Sequence, residues 1–368
     1  MTRICHVTSA HTRYDIRIFE KECCSLAKKG YECYLLVNDN NGDENKNGVK
    51  IVSTGLEVHS RKERFLKSHK LLLDKMNMIN AEIYHFHDPD LLSLAVKMKK
   101  KGKKVIFDFH ENVAKQIKDK EWIPKIIRSV ISVLYSKYEA HFAKKFDYLI
   151  TVSPNIVDEL KRENSKIEMI TNFPIVEEQY SEPEFKEHNI CFAGGISEQW
   201  CHDIILESIS EIDDCKYILA GGTSDAYLDL LKKSNGWNKV EYLGRIPFED
   251  VEKIYIRSIA GMALNISSQV GNEGTLGNTK LFEYMSAGIA VICSNNVMWK
   301  RIIEENDCGI AVDPTDVNAI SDAVKYLLCN IDRAKEMGIN GRKAAISKYN
   351  WANEEKKLYR LYEKLNDK

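Results

Sequence analysis

The stretch GNEGTLGNTKLFEYMSAGIAVICSN, residues 271–295, sets three glycines and a lone acid ahead of a short apolar-periodic segment. Asn278 and Thr279 are both residue types that begin helices, with either side chain as the cap. A helix start exposes unpaired N–H groups and partial positive charge, which suits a phosphate or diphosphate. Lys280 adds a cation in the first turn. Glu283 falls about one turn further, on the side of Thr279 and Lys280. Its carboxylate can accept two hydrogen bonds from a ribose diol. Gly271, Gly274 and Gly277 let the preceding loop fold closely around a sugar. The same residues also describe a plain loop followed by a Lys–Glu surface pair, and this stretch alone does not separate the two.

Polar residues crowd the strand ends of the first half. HVTSAHTRYDIR places Ser9, His11, Arg13, Asp15 and Arg17 after the first strand. YHFHDPD puts His85 and His87 on one strand face, followed by Asp88 and Asp90. FDFHEN closes the next strand with His110, Glu111 and Asn112. Histidines and acids in this number have the chemistry of a metal site. No HExxH or comparable ligand spacing links them, so no metal is expected. Asp88 is read as a helix cap, because carboxylates favour helix N-termini. His110 closes its strand where a ligand would lie. It is either a group of the reaction centre or a structural histidine bonded to a neighbouring loop. In the second half, FAGGIS (192–197) follows a strand with Gly194 and Gly195, where backbone N–H groups can approach a ligand. The AGG at 220–222 is read as a tight turn. No GxGxxG and no Walker lysine motif is present, which excludes a dinucleotide fingerprint and a P-loop.

The elements that must position these groups alternate short β-branched or aromatic runs with helical stretches. Strands are expected at 3–10, 31–38, 49–55, 82–88, 104–110, 148–153 and 167–173. They resume at 189–195, 216–222, 240–245, 261–267, 289–295 and 309–314. Short continuous apolar strands alternating with helices predict parallel sheets covered on both faces. Two prolines and a cluster of acids break the rhythm over 172–189. The expected architecture is therefore α/β, with two doubly wound parallel-sheet domains in tandem. The N-terminal domain spans 1–175, the linker 176–188 and the C-terminal domain 189–349. An amphipathic helix closes the chain over 350–368.

A chain of 368 residues suits two domains. Its ten cysteines are scattered with no CxxC, which favours reduced thiols over disulfides or a zinc site. The N-terminus has no long apolar stretch or cleavage site of a signal peptide, and no run is long enough to span a membrane, so a cytoplasmic protein is expected. Residues 1–180 carry 31 Lys and Arg against 25 Asp and Glu, a net +6, and the remainder 22 against 29, a net −7. Basic runs at 61–70, 97–104 and 115–145 alternate with apolar residues. They suit an anionic membrane surface or anionic substrate, or plain solvated helix faces. Near-neutral overall charge and the lack of a recognition motif argue against nucleic acid. The stripe Trp122, Ile123, Ile126, Ile127, Val130, Ile131 and Leu134 fits either a membrane-facing surface or a helix buried in the domain.

Five segments together, GNTKLFEYMSAGIAVICSN, YLGRIPFEDVEKIY, CGIAVDPTDVNAISDAV, HFHDPDLL and NWANEEKKLYRLYEKL, resemble glycosyltransferase family 4. The similarity runs from the first strand to the last helix. It implies the GT-B fold: two Rossmann-like domains facing across a cleft, with the C-terminal helix packing back toward the N-terminal domain. It implies a retaining, metal-independent transferase without a cofactor, taking a UDP- or GDP-sugar as donor. The donor would lie on the C-terminal domain and a saccharide or lipid-linked saccharide acceptor on the N-terminal one, on the acceptor side of His11, Arg13, Asp15, Arg17, His87 and Asp88. Bacterial surface polysaccharide synthesis, at the inner face of the cell membrane, is the setting this resemblance implies.

By motif, Glu283 matches the family glutamate that holds the donor ribose, and Asn278, Thr279 and Lys280 the diphosphate-binding helix start. Gly244 and Arg245 match the segment near the base, and His110 the histidine near the transferred sugar. Gly194, Gly195 and Gly274 join the donor side. The catalytic set is then His110, Lys280 and Glu273. Three departures stand out. Thr275 occupies the place of a first family glutamate, with Glu273 two residues early. GGISEQWCHD lacks the usual basic pair. SAHTRYDIR replaces the usual glycine-rich loop after the first strand. A nucleotide-sugar epimerase and a non-catalytic nucleotide-sugar binding protein are the alternatives from other classes.

Overall fold

The computed structural model describes residues 1–57, 63–120, 122–177, 183 and 187–366. Most of the linker expected at 176–188 lies outside the described residues, as do Arg61 and Lys62 of the first basic run. The chain forms two compact units, Met1–Asn172 with Trp351–Lys368, and Phe173–Asn350. Phe173 falls in the second unit because its ring packs edge-on against Phe282 and Tyr349, with centroids 4.6 and 5.5 Å away.

The first unit is built on β1 (Arg3–Val7), β2 (Glu32–Val37), β3 (Glu44–Lys46), β4 (Val49–Ser53), β5 (Ile83–Phe86), β6 (Lys104–Phe109), β7 (Tyr148–Thr151) and β8 (Ile167–Met169). They lie in the order β3-β4-β2-β1-β5-β6-β7-β8. The pairs are parallel except β3 with β4. The β3 edge strand was not among those expected from the sequence. Its signal is Asn47-Gly48, with φ of +53° and +78°, the two-residue hairpin turn that Asn-Gly favours.

The second unit carries β9 (Asn189–Ala193), β10 (Lys216–Ala220), β11 (Val240–Gly244), β12 (Ala260–Ala263), β13 (Ala290–Ser294) and β14 (Gly309–Val312), in the order β11-β10-β9-β12-β13-β14. Strand order reverses between β1 and β5 in one sheet and between β9 and β12 in the other. Ligands of open parallel sheets bind beyond the carboxyl ends of the strands at such points.

Central strands such as β5, β9 and β13 are buried along their whole length, which is why they read as unbroken apolar runs. In the first unit the helices His69–Ile79 and Leu92–Lys100 cover one face. The other face packs on Ile18, Phe19 and Leu26 and on Trp351, Leu358, Leu361, Tyr362 and Leu365 of the Trp351–Asn366 helix. The last helix of the sequence thus fills half of the first unit's second layer, and its amphipathic stripe follows from that position.

The helix Lys125–Ala143 is not buried in its unit, as one reading of its apolar stripe had it. Ile126 is 92% exposed, and Trp122, Val130, Val133 and Leu134 are also exposed. Ile123 alone of the expected stripe turns fully inward. Among the described residues no helix is long and apolar enough to cross a membrane.

Gly261 inside β12 shows how tightly the second core is closed. A Cβ there would meet the Tyr284 ring at 2.2 Å. Gly261→Ala is expected to destabilise the protein by about 1–3 kcal/mol through overpacking. Thermal or urea unfolding of this variant checks it, and an unchanged midpoint would contradict the packing described.

Candidate functional site

In the first unit, polar groups gather at the carboxyl ends of β1, β5 and β6, beside the strand-order reversal. Asp88 follows β5. It does not cap the short helical turn Pro89–Leu91, as the sequence suggested. One carboxylate oxygen instead accepts from the Thr8 hydroxyl and the Ser9 N–H, both at 2.7 Å. The other lies 3.6 Å from His11 Nε2. Asp88 therefore ties the end of β5 to the end of β1. The His11 ring also bonds Asp15 at 3.1 Å and meets the His110 ring edge-on, with centroids 5.3 Å apart. Burial alone would hold the His11 pKa down. The bond to Asp15 and the charges of Asp88, Asp15 and Glu111 outweigh it and lift the pKa to about 9. Asp15 is pulled down to about 2: burial opposes this, but the His11 bond and charge win. Asp15 also caps the following helix, accepting from the N–H groups of Arg17 and Ile18.

That helix, Ile16–Cys23, has the wider π-type winding, which stacks residues five apart. Arg17 therefore lies over Glu22, 3.3 Å away, and forks onto Asp108 of β6 at 2.8 and 3.1 Å. Asp108 is fully buried. Burial would raise its pKa, but Arg17, His110 and His87 hold it well below the usual carboxylate range. His87 and His110 each place Nδ1 3.4 Å from Asp108 Oδ2.

Of the residues expected on the acceptor side, His11 and Asp15 keep accessible surface, with 28% and 24% of their side chains exposed. Arg17 and His87 are buried and committed inward. Arg13 is nearly buried against Asp39 and Glu44, clamping the β3 hairpin. These three support the surface without forming it. Asp108 and Glu22 were missed in the sequence. A lone acid within the apolar strand KVIFDF signals a buried charge that needs a cation, and Arg17 is that cation.

In the second unit the expected helix runs Lys280–Ala287 and ends at Gly288 in the left-handed conformation. Asn278 Oδ1 accepts from the Lys280 N–H at 3.1 Å. Glu283 receives three bonds: from the Thr279 hydroxyl at 2.6 Å, Lys280 Nζ at 2.6 Å and the Tyr255 hydroxyl at 2.9 Å. Burial pushes its pKa up, and the Lys280 charge with these bonds more than offsets that, so it stays below the ordinary value. Tyr255 had no distinguishing sequence signal. The Lys280 stem crosses over Gly194: a Cβ on Gly194 would meet Lys280 Cε at 2.9 Å. The cation is thus laid against the end of β9.

Gly195 faces open space. Gly221, in the AGG read as a plain turn, is needed for closer reasons. Its φ is +145°, and a Cβ would meet the Gly194 carbonyl oxygen at 1.7 Å. Its N–H donates to the Gly244 carbonyl at 2.7 Å. The Arg245 guanidinium lies where a Gly222 Cβ would be. Gly274, with φ +84°, makes room for the Asn296 side chain. Glu273 sits on the exposed part of this loop, and its carbonyl accepts from the Met298 N–H.

The second unit carries two depressions, one along this helix and one beside the loop that precedes it. One, of about 410 Å³, is lined by Glu283, Tyr255, Phe248, Ser286 and Arg342. The other, of about 420 Å³, opens beyond β12–β14 and is lined by Asn265, Gly271, Asn272, Asn296 and Asp313. Both are of a size that takes a nucleotide or a sugar.

Two parallel α/β units in tandem, completed by a helix that returns to the first, define the GT-B class of glycosyltransferases. Residues 176–344 match the family described as Glycosyl transferases group 1, and residues 17–174 match Glycosyltransferase Family 4. The chain belongs to these glycosyltransferases. It is similar over its full length to sucrose-phosphate synthase from Thermosynechococcus elongatus, at TM-score 0.81 and 15% identity, with 100% of each chain covered. It is also similar to Anabaena HepE in complex with UDP-glucose, at TM-score 0.72 and 10% identity, with 100% of each chain covered. A 69-residue segment, 19% of this chain, is 35% identical to a Mycobacterium tuberculosis GDP-mannose-dependent alpha-(1-6)-phosphatidylinositol monomannoside mannosyltransferase and spans 18% of that relative's length.

The His11–Asp15 pair gives a direct test of the first-unit geometry. Its stabilisation is complete below the ordinary histidine range and is lost as pH rises through about 9; Asp15 keeps its share until pH falls through about 2. An NMR titration of ring-labelled histidine should show one resonance with a midpoint near 9, moving toward the ordinary value in Asp15→Asn. No histidine titrating above neutrality would refute the pairing.

Proposed function

We propose that the protein is a retaining glycosyltransferase that moves a sugar from a UDP- or GDP-sugar to a saccharide or lipid-linked saccharide acceptor, without a metal or cofactor in the transfer step. The constellation of Thr279, Lys280, Glu283 and Tyr255 against Gly194 carries this reading. It joins a cation, a helix start and an ionised carboxylate within one turn. In the complex, Lys280 Nζ turns from Glu283 to the diphosphate, and Glu283 Oε2 accepts from the ribose hydroxyls. The depression beside Gly271 and Asn272 takes the sugar, with Glu273 at its exposed rim. The GDP-mannose dependence of the mycobacterial relative and the UDP-glucose bound by the Anabaena protein support the choice of donor class.

Leaving diphosphate needs positive charge, and here Lys280 and the helix start supply it. The acceptor hydroxyl gives its proton to the departing phosphate oxygen on the same face of the sugar. His110, held by Asp108, steadies the donor sugar, while His11 and Asp15 offer the acceptor side a charged, accessible edge.

The exposed apolar stripe Trp122, Ile126, Val130 and Leu134, flanked by Lys118, Lys120 and Lys125, supports docking on an anionic membrane surface. That suits a lipid-linked acceptor, the inner face of the cell membrane and surface polysaccharide synthesis in a bacterium.

Thermal shift against a panel of nucleotide sugars should give one stabilising donor, with the shift lost in Glu283→Ala. No stabilisation by any of them would reject the reading. Donor consumed without acceptor to release a changed nucleotide sugar would indicate an epimerase, and donor bound but never consumed a binding protein. Lys280→Ala should lower kcat by about 10²–10³-fold, as loss of a charge-stabilising group does, with a smaller loss in nucleotide Kd; equal losses would contradict the assignment. Co-sedimentation with anionic vesicles at low salt should fall in the double variant Ile126→Ser, Val130→Ser, and its absence in the unmodified protein would remove the membrane role.

A further inference from the structure

Beneath His110 the first unit buries a set of ligand-type groups that the transfer reaction does not use. His6 of β1, His85 of β5, His87 just after β5 and Glu22 of the Ile16–Cys23 helix are all within 1% of complete burial. His6 Nδ1 lies 3.0 Å from His87 Nε2. One oxygen of Glu22 faces all three rings, 3.7 Å from His6 Nδ1, 3.6 Å from His85 Nδ1 and 3.9 Å from His87 Nε2. The four ligand atoms lie within 4.8 Å of one another. Among the described residues neither oxygen of Glu22 accepts a hydrogen bond. A carboxylate so deeply buried is costly to leave unbonded.

The spacing explains what the set is suited to. Contacts of 3.6–3.9 Å are too long for N–H···O bonds. Ligands about 2.0–2.2 Å from one tetrahedral ion sit about 3.3–3.6 Å from each other, so an ion here would draw the Glu22 oxygen in by a few tenths of an ångström and part the His6–His87 nitrogens, which now share a hydrogen bond at 3.0 Å. The outer contacts follow the same logic. His87 turns its other ring nitrogen to Asp108 at 3.4 Å, and His6 turns its other nitrogen to the Tyr362 hydroxyl at 3.1 Å. Such partners orient metal-ligating imidazoles. Arg17 steadies the far oxygen of Glu22 at 3.3 Å.

We propose that His6, His87 and Glu22, with His85 as fourth ligand, bind a divalent first-row transition ion, zinc by the character of the donors. Imidazole nitrogen favours zinc over magnesium or calcium. The ion has a structural role. Complete burial keeps substrate away, so it would pin β1, β5 and the π-wound helix together under the Asp108–His110 surface. Tyr362 links the terminal helix to the same point, bonded at 3.1 Å to His6 Nε2, which faces away from Glu22, and to His85 Nδ1, a bond that His85 gives up when that nitrogen takes the ion.

Mass-spectrometric metal analysis tests this on the full chain, expressed with zinc and desalted into metal-free buffer. The expected result is about one zinc per chain. Removal with dipicolinate should lower the thermal midpoint, zinc should restore it and magnesium should not. Cobalt loaded in place of zinc should give the intense visible band of tetrahedral coordination. Glu22→Gln should cut zinc content at least tenfold, while Glu20→Gln, on the exposed side of the same helix, should keep it. The readouts are metal content and stability, independent of donor or acceptor. Metal at background level, with no cobalt band in the unmodified protein, overturns the proposal whatever the variants do and leaves a hydrogen-bonded His–Tyr–His chain.

Discussion

The buried fork between Arg17 and Asp108 is the interaction on which the first unit's chemistry depends. It joins the helix after β1 to the middle of the sheet, and Arg17 also donates to the Ile170 carbonyl at 3.1 Å. Both charges are out of water, so neither is tolerable without the other. Once fixed, Asp108 sets the rings of His87 and His110 on either side of it, and Arg17 aligns Glu22. The π-type winding is part of the same constraint, because an ordinary α-helical pitch would not put residues 17 and 22 on one side.

The second unit reaches a comparable precision by removing side chains. Glycines at 194, 221, 222 and 261 let backbone, a guanidinium and an aromatic ring come where a Cβ would stand. The strand ends are drawn together by main-chain bonds, Gly194 N–H to Ala220 and Gly221 N–H to Gly244. That leaves Lys280 lying flat along the end of β9, pointing at Glu283. Position is fixed by backbone there, and by buried charge in the first unit.

Much of this was legible in the sequence. Every expected strand is present, mostly shorter than expected and with β12 beginning one residue early, because strands buried on both faces write continuous apolar runs. The Thr279–Lys280–Glu283 geometry could be read from helical spacing alone. What escaped had no local signature. Tyr255 reaches Glu283 from another helix, and His6 meets His87 across 81 positions of sequence. Asp88 misled because a carboxylate before a proline turn reads as a cap, whereas the neighbouring strand offered it stronger donors. The β3 hairpin was written plainly in Asn47-Gly48 and is short enough to be overlooked.

The return of the Trp351–Asn366 helix to the first unit bears on how the molecule is made. Trp351, Leu358 and Tyr362 complete a layer whose other members are encoded in the first 170 residues. A ribosome therefore releases the whole of 173–350 before the N-terminal unit can complete that layer. Through that interval the face of the first sheet that carries Ile4, Leu35 and Ile106 has only the part of its cover that Ile18, Phe19 and Leu26 supply. The unit synthesised first is the last to finish folding, and its nascent form is the one that chaperones would need to guard.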